Sequence, residues 1–440
     1  MYTQLKHLTW KASLLTIALS LLAFSVALAA PGDLDTTFSG DGRATDFAVP
    51  TKPGRWDTAW GLAIQPADGK IVVAGDSRIP FTGTNDFAVL RYKTDGTLDA
   101  TFSKDGRLIT NFGGRDQAMD VVLQPNGKIV AIGQTCNDDS TICDVALARY
   151  NPGGALDVTF SGDGMQTSDF GGGDNGSFGG VALQGNKIVV AGYMWNGSNY
   201  DFAVYRYLSN GGLDTTFSGD GMAKFGFGSG RQDFARDLII QSDGKILVVG
   251  YTGDANEDNN NFAVARLNGD GSLDSTFSGD GRQTTSFGAE DFASSVALQT
   301  DGKIIVVGSR ATEALTSFAM ARYNTDGSLD STFNFTGKKI FSISPNINSF
   351  ASDVLVQPDG KLVVMGNAYN GTDNDFALVR LKAGGGFDTT FSGDGKVIVN
   401  FGGDDNSLAL AIQPSDGKYV LAGRTDDGTQ RDFALARVLP

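Results

Sequence analysis

The stretch LDTTFSGDG, residues 34–42, recurs along the chain in near-copies. The copies start at Leu34, Leu98, Leu156, Leu213, Leu273, Leu329 and Phe387. A catalytic loop is needed once, whereas a structural corner is needed once in every repeating unit. The 440-residue chain also exceeds the roughly 250 to 300 residues that one hydrophobic core usually supports. We therefore interpret the chain as an array of seven repeats of about 60 residues.

Each repeat predicts four β-strands in a fixed order, as the second repeat shows. The first strand follows the corner motif as GRLITNF from Gly106, and the second ends in a glutamine as VVLQ to Gln124. An Asn-Gly turn leads to the third strand, KIVAIG from Lys128, and such a turn between two apolar runs predicts a hairpin. The fourth strand is DVALARY from Asp144.

The order of the strands at the two ends of the chain indicates a closed ring. The array begins with a corner motif and the strand that follows it, and it ends just after a fourth strand, DFALARVLP. We predict an all-β fold, a seven-bladed β-propeller of four-stranded antiparallel blades that forms one domain over residues 30–440. The N-terminal strand is expected to pair with the C-terminal blade and so close the ring. A solenoid, the alternative, would need polar capping repeats that the sequence lacks.

The first 29 residues predict a Sec-type signal peptide. Lys6 and Lys11 precede an apolar run over residues 14–28, and the small residues Ala27 and Ala29 fit a cleavage site after Ala29. The run is shorter than the ~20 residues that a membrane-spanning helix needs, and no lipobox cysteine follows it. We expect a bacterial secreted or periplasmic protein without membrane insertion after cleavage.

Charge and histidine content exclude several classes of function. The single histidine, His7, lies in the predicted leader, so the mature chain is expected to lack Ser-His-Asp and Cys-His catalysis and histidine-bound zinc. Loss of the two leader lysines takes the formal net charge from −15 to −17, which disfavours nucleic acid as a partner. We expect a monomer whose partner is a protein or a carbohydrate.

Two cysteines, Cys136 and Cys143, lie close together in QTCNDDSTICDVA. In an exported chain this spacing predicts one local disulfide, with a reactive thiol pair as the alternative.

Two charged residues recur in every repeat, and we assign them a structural role. The fourth strand carries an arginine: Arg91, Arg149, Arg206, Arg266, Arg322, Arg380 and Arg437. The corner motif carries an aspartate: Asp35, Asp99, Asp157, Asp214, Asp274, Asp330 and Asp388. Because a short connection joins the arginine strand to the next corner, we expect the two groups to pair. The alternative, calcium at each corner, has one motif carboxylate to offer an ion that takes six to eight oxygens.

Together the segments LDxTF-GDG, QPDGKIVVAG and DFAVARY resemble the delta-60 repeat family, from Leu34 to Arg437. The resemblance implies a bacterial, exported, propeller-like protein and supplies no catalytic residues. The second repeat departs from the pattern with SKDG, and the sixth corner departs with NFTG.

Two of the four connections in each repeat vary in sequence, and in an antiparallel blade these two lie on the same face of the disc. We call it the variable face and expect any ligand to bind there. The candidate ligand-binding residues are Trp56, Trp60, Trp195, Tyr193, Tyr200, Tyr251 and Tyr369, with Phe81 nearby. Aromatic side chains among polar ones suit a carbohydrate or protein ligand. The alternative is that these rings merely cover the blade ends.

One loop, GDANEDNNNF from Gly253, is a weak candidate for calcium, and no other cofactor is expected. Its alternating oxygen-bearing residues are Asp254, Asn256, Asp258 and Asn260. The loop lacks the glycine and the final acid of a calcium loop, so a polar hairpin tip is the alternative.

The function expected from the sequence is that of a non-catalytic binding or scaffold propeller. The alternative is an extracellular carbohydrate-active enzyme that uses paired carboxylates. Its candidate acids lie in or beside the glutamine strand, which we expect to be innermost: Asp57, Asp116, Asp120, Asp233, Asp237, Asp291 and Asp353.

Overall fold

The computed structural model describes residues 29–49, 54–78, 84–137, 142–169, 177–256 and 258–440. The predicted leader lies outside these residues except for Ala29, and Phe81 also lies outside them. Every helix or strand assigned within the described part of the chain is a β-strand. No helix that could cross a membrane is found there.

The strands form seven four-stranded blades, as predicted. The N-terminal strand is β1 (Arg43–Asp46), and the first blade contains β2 (Trp56–Ile64), β3 (Ile71–Arg78), β4 (Asn85–Tyr92) and β5 (Arg107–Thr110). The second blade contains β6 (Arg115–Leu123), β7 (Ile129–Cys136), β8 (Cys143–Tyr150) and β9 (Met165–Ser168). The third contains β10 (Ser177–Gln184), β11 (Lys187–Trp195), β12 (Tyr200–Tyr207) and β13 (Met222–Phe225).

The remaining four blades follow in the same order. The fourth contains β14 (Gln232–Ile240), β15 (Ile246–Gly253), β16 (Asn261–Leu267) and β17 (Arg282–Thr285). The fifth contains β18 (Glu290–Leu298), β19 (Ile304–Ala311), β20 (Thr316–Tyr323) and β21 (Lys338–Phe341). The sixth contains β22 (Ser349–Val356), β23 (Leu362–Tyr369), β24 (Asn374–Leu381) and β25 (Lys396–Val399). The seventh contains β26 (Asp404–Ile412), β27 (Tyr419–Asp426) and β28 (Arg431–Val438), completed by β1.

The ring closes through the N-terminal strand, which confirms the prediction from the chain ends. β1 pairs antiparallel with β28, from Arg43 opposite Ala436 to Asp46 opposite Phe433. Each glutamine-ending strand contacts the equivalent strand of the next blade, and β26 contacts β2. These seven strands are therefore the inner strands around a central channel, and the corner-following strands are outermost.

Each inner strand carries a β-bulge, which the sequence analysis did not predict. In the first blade the register shifts between Ala59 and Gly61, so Trp60 is the extra residue. The bulge explains why position 75 in the neighbouring strand β3 is a glycine, since a Cβ on Gly75 would lie 1.8 Å from the carbonyl oxygen of Thr58. The recurring glycine of KIVVAG thus admits the bulged backbone.

The hydrophobic core lies between neighbouring blades. One cluster joins Val72 and Phe87 of the first blade to Ile129 and Ala146 of the second. Phe102, the phenylalanine of a corner motif, is fully buried in the same cluster. Apolar contacts between blades thus hold the ring together, and β3 is buried along nearly all its length because neighbouring blades cover both of its faces.

Each corner joins the predicted arginine and aspartate, and a lysine and a threonine complete the group. Arg91 Nε lies 2.8 Å from Asp99 Oδ2, and Lys70 Nζ lies 3.1 Å from the same oxygen. The Thr101 hydroxyl donates to Asp99 Oδ1 over 2.7 Å, and the Arg91 guanidinium lies over the Phe102 ring. All seven arginine and aspartate pairs have this contact, at 2.6 to 2.9 Å. The repeated motif therefore builds a buried ionic corner.

The two irregular corner motifs keep the regular corner conformation. Lys104 in SKDG and Phe335 in NFTG adopt positive φ angles of 78° and 64°, where the other corners have glycine. The ring of Phe335 is 94% exposed. The blades that contain these corners still form four-stranded sheets.

Cys136 and Cys143 form a disulfide between paired positions at the ends of β7 and β8. Both residues are buried. The structure therefore has the predicted local bridge.

Candidate ligand-binding face

The aromatic residues predicted to bind ligand form two groups on the variable face, with Tyr369 apart. Tyr369 lies on the sixth blade, is 39% exposed, and donates from its hydroxyl to the Gly371 carbonyl. The first group extends across blades three to five, and the second lies where blade one meets blade seven.

The first group is a continuous chain of six rings, which we call the aromatic belt: Trp195, Tyr200, Tyr193, Phe234, Tyr251 and Phe292. Neighbouring ring centres are 4.8 to 5.5 Å apart. Phe234 is buried, whereas the other five rings are partly exposed. Phe234 and Phe292 were not predicted, although both follow an acidic residue at the start of an inner strand.

The belt leads into the mouth of the central channel. A cavity of about 450 Å³ there is lined by residues of all seven inner strands and by Tyr251 and Phe292 of the belt. Arg236, the extra residue of its bulge, also lines this cavity and donates from Nη2 to the Tyr251 hydroxyl over 3.1 Å. Its guanidinium lies 5.4 Å from the Tyr251 ring centre, which fixes a cation beside the rings.

The second group contains the two tryptophans of the first blade. Trp56 is 47% exposed, and the Arg431 guanidinium lies 4.8 Å from its ring centre. Trp60 donates from Nε1 to Asp76 Oδ1 over 2.6 Å, and it lines the central cavity as well as a smaller pocket beside Trp56. Trp60 therefore separates the channel from that pocket.

Three of the predicted acids line the channel: Asp120, Asp237 and Asp353. Each directly follows the bulge of an even-numbered blade and accepts an N–H of the next blade. The donors are Val181 at 3.0 Å, Val296 at 2.9 Å and Leu410 at 2.7 Å. These carboxyl groups thus connect blade two to three, four to five and six to seven.

Two of the channel acids share one hydroxyl group. Ser295 Oγ lies 3.0 Å from Asp237 Oδ2 and 2.8 Å from Asp353 Oδ1. Burial, together with the negative charge of the neighbouring Asp353 carboxylate, raises the pKa of Asp237 to about 7. A serine hydroxyl donates one hydrogen at a time, so a proton on one of the two acids satisfies the second contact. The channel thus holds a carboxyl group that titrates near neutral pH.

The other four predicted acids, Asp57, Asp116, Asp233 and Asp291, are not among the residues that line the channel cavity. All four are fully buried, and each accepts an N–H from the connection that leads out of an outer strand, as Asp116 does from Phe112 at 2.6 Å. Asp405, which the sequence analysis missed, does the same for Phe401 at 2.6 Å. Burial raises the pKa of these groups, for Asp57 and Asp405 to about 6. They brace connections at the variable face.

The proposed calcium loop is a hydrogen-bonded turn. Asp254 Oδ1 accepts the N–H groups of Asn256 and Asp258, both at 3.0 Å, and Oδ2 accepts the side chain of Asn259 at 2.8 Å. Asn260 is buried and donates to Glu290 of the next blade. Within the described residues, no group of three or more histidine, cysteine or acidic side chains is arranged to hold a metal ion.

Solved structures with a similar chain trace have low sequence identity to this chain. A protein of unknown function from Dyadobacter fermentans is 12% identical, with a TM-score of 0.45 over 90% of this chain and 99% of that one. The polysaccharide lyase Uly1 is 10% identical, with a TM-score of 0.49 over 87% and 90%. An α-L-arabinanase of Penicillium chrysogenum is 10% identical, with a TM-score of 0.46 over 90% and 97%.

Comparison with curated proteins finds no match. A family described as a domain of unknown function (DUF5122) β-propeller matches seven segments that together cover more than half of the chain: 67–102, 124–160, 186–217, 241–277, 299–333, 357–391 and 415–440. The first six segments run from the second half of one repeat to the phenylalanine of the next corner motif, and the seventh covers the last two strands of blade seven. The chain therefore belongs to the DUF5122 β-propeller family.

Proposed function

We propose that this chain is an exported, non-catalytic binding propeller that takes a carbohydrate on its variable face. The observation that carries the proposal is the aromatic belt, a row of partly exposed rings that leads into a cavity at the channel mouth. Aromatic faces pack against the C–H faces of sugar rings, while nearby polar groups bind hydroxyls. Arg236 and the channel acids supply such polar groups beside the belt.

Export is part of the proposal. The leader-like N-terminus and the disulfide between Cys136 and Cys143 both suit an oxidising compartment.

The test is a glycan array followed by calorimetry with the chain from Ala30 onward. Replacing Trp195 and Tyr200 together with alanine is expected to weaken binding at least about tenfold, since an aromatic contact contributes about 1.5 kcal/mol. Tyr369→Ala is the matched control, because Tyr369 is exposed on the same face but outside the belt. Glycan binding that survives the double substitution unchanged would refute the proposed surface.

A carboxylate-based enzyme remains the second candidate function, and the channel acids favour it. Asp237 and Asp353 share a hydroxyl beside a cavity that is open to the variable face, and the pKa of Asp237 is about 7, as a general acid requires. The test is incubation with a polysaccharide panel and assay of new reducing ends and unsaturated products. Turnover that Asp237→Asn abolishes would replace the binding proposal with this one.

A further inference from the structure

A pocket of about 280 Å³ beside Trp56 collects positive charge on an otherwise acidic protein. Four arginines line it: Arg78, Arg115, Arg424 and Arg431. They come from blades seven, one and two, so the pocket spans the junction at which the ring closes.

Strand pairing places the central members of this pocket in one row. Trp56 at the start of β2 is opposite Arg78 on one side and pairs with Arg431 on the other. The Arg431 guanidinium covers the Trp56 ring and also pairs with Asp426 at 3.1 Å. The indole ring of Trp56 thus belongs to a position that lies between two arginines of neighbouring strands.

Two of the four arginines have positive charge to offer a ligand. The side chains of Arg78 and Arg424 make no hydrogen bond or ion pair with any residue in the described part of the chain. The Nε of Arg424 is buried, and a buried donor without an acceptor is unfavourable. Burial and the nearby Arg431 lower the pKa of Arg424, and the negative charges of Asp404, Asp426 and Asp76 offset this only in part.

One acid within the pocket, Asp76, neutralises these cations only in part. Asp76 accepts hydrogen bonds of 2.6 Å from Trp60 Nε1 and from Asn85 Nδ2. Burial raises the pKa of Asp76 to about 7, so near neutral pH much of its negative charge is absent. The pocket therefore presents guanidinium groups, two indole rings and amide side chains.

We propose that this pocket binds the carboxylate of an acidic sugar, with the sugar ring against Trp56 and the carboxylate on the guanidinium groups of Arg424 and Arg78. Planar guanidinium groups bind carboxylates through paired hydrogen bonds, and indole rings pack against sugars. Trp60 borders both this pocket and the central cavity, so an acidic oligosaccharide reaches both. This inference rests on the proposed carbohydrate function and names its ligand class as uronate-containing glycans.

The direct test is titration of the chain from Ala30 onward with sodium glucuronate, followed by intrinsic tryptophan fluorescence. Trp56 and Trp60 both line the pocket, so in the Trp195→Ala/Tyr200→Ala protein, whose belt lacks its own tryptophan, a saturable change is expected with glucuronate and none with glucose. Arg424→Gln, and separately Arg78→Gln, is expected to weaken glucuronate binding at least about tenfold, as loss of a charged hydrogen bond does. Arg282→Gln, on an outer strand and paired with Asp280, removes the same charge as a control.

A second arm separates this inference from the proposed function. Acidic oligosaccharides and their carboxyl-reduced counterparts are compared on one array, with the Trp195→Ala/Tyr200→Ala protein beside the unsubstituted one. The inference predicts stronger binding of each acidic member, lost in Arg424→Gln. Binding of the reduced sugars that depends on the belt, without any gain from the carboxylate, would overturn the inference and keep the proposed function. A response to glucose 6-sulfate but not to glucuronate would overturn it as well.

Discussion

The guanidinium of Arg437 donates from Nε to Oδ2 of Asp35 over 2.7 Å, although the two residues are 402 positions apart in the chain. Six other corners have the same contact between residues eight positions apart, as in Arg206 and Asp214. The corner that joins the two ends of the chain thus has the same ionic contact as the corners formed within the chain. Lys418, directly before β27 of blade seven, also pairs with Asp35, at 2.9 Å.

The first prediction concerns this ring-closing pair. Asp35→Ala is expected to lower the free energy of unfolding by about 3 to 5 kcal/mol, because it leaves the buried Arg437 without its carboxylate. Arg437→Met is expected to lower it by less, because Lys418 still pairs with Asp35. The double variant should lose much less than the sum of the two. Chemical denaturation measures all three, and the matched cycle at Asp214 and Arg206 serves as the control. Strictly additive losses at both corners would contradict the pairing.

Hydrogen exchange distinguishes the two corners. Asp35→Ala is expected to speed exchange of the amides in β1, residues 43–46, because the N-terminal segment then loses its ionic contact with β28. Asp214→Ala should leave exchange in β1 unchanged. Equal effects of both substitutions on β1 would show that the corner does not hold the ring closed.

The second prediction is that the protein is most stable near pH 4. Burial raises the folded-state pKa of Asp57, Asp291 and Asp405 to about 6 and that of Asp237 to about 7, so from about pH 4 upward the folded state holds more protons than the unfolded state. Stability therefore falls as the pH rises from about 4 to 7. The corner acids have the opposite sign, since hydrogen bonds and cations lower the pKa of Asp35 to about 2. Their contribution is lost as the pH falls below about 4.

Chemical denaturation at about pH 2.5, 4.5 and 8 measures this profile. The exposed hairpin acid Asp301 supplies a control, because Asp301→Asn should leave the shape of the profile unchanged. A stability maximum at pH 7 or above would contradict the assignment of raised pKa values to the buried acids.

The fold was predictable because its signals are local and occur seven times. Strand order, hairpin turns and ring closure all follow from the repeats and from the two chain ends. The division of the acids was not predictable, and Asp116 and Asp120 show why. Four residues apart in a regular strand, they would face the same side, but a bulge lies between Ala118 and Asp120. Asp116 is therefore buried against the connection that contains Phe112, and Asp120 lies at the channel. The residue that permits the bulge is a glycine on the neighbouring strand. The sequence of the bulged strand itself therefore gives little sign of the bulge.

The sequence also did not show which aromatic residues would lie together in space. Trp56 and Trp195 occupy similar positions at the ends of strands, yet they lie on blades one and three. The arginine pocket depends on residues from both ends of the array, such as Arg78 and Arg424, which become neighbours only when the ring closes. Aligning the repeats shows the residues that all blades have in common, whereas the pocket is formed by residues that differ from blade to blade.

The third prediction concerns the coupled acids of the channel. Asp353→Asn is expected to lower the pKa of Asp237, because it removes a neighbouring negative charge. Carboxyl carbon chemical shifts, followed by NMR as a function of pH, measure this pKa in both proteins. Asp301→Asn serves again as a distant control. An unchanged Asp237 titration would show that the two carboxyl groups are not coupled through Ser295.

The fourth prediction concerns the disulfide. Reduction, or replacement of both cysteines by alanine, is expected to lower the free energy of unfolding by about 2 kcal/mol. The loss is small because the two bridged cysteines are only seven positions apart in the chain.

The bridge also lies beside the arginine pocket, since Arg115 is paired with Cys136 across β6 and β7. Glucuronate affinity should therefore fall on reduction, whereas glycan contacts at the aromatic belt on blades three to five should not change. Denaturation with and without reductant measures the first effect, and tryptophan fluorescence titration measures the second. Equal glucuronate affinity in the oxidised and reduced proteins would show that the bridge supports the blade without shaping the pocket.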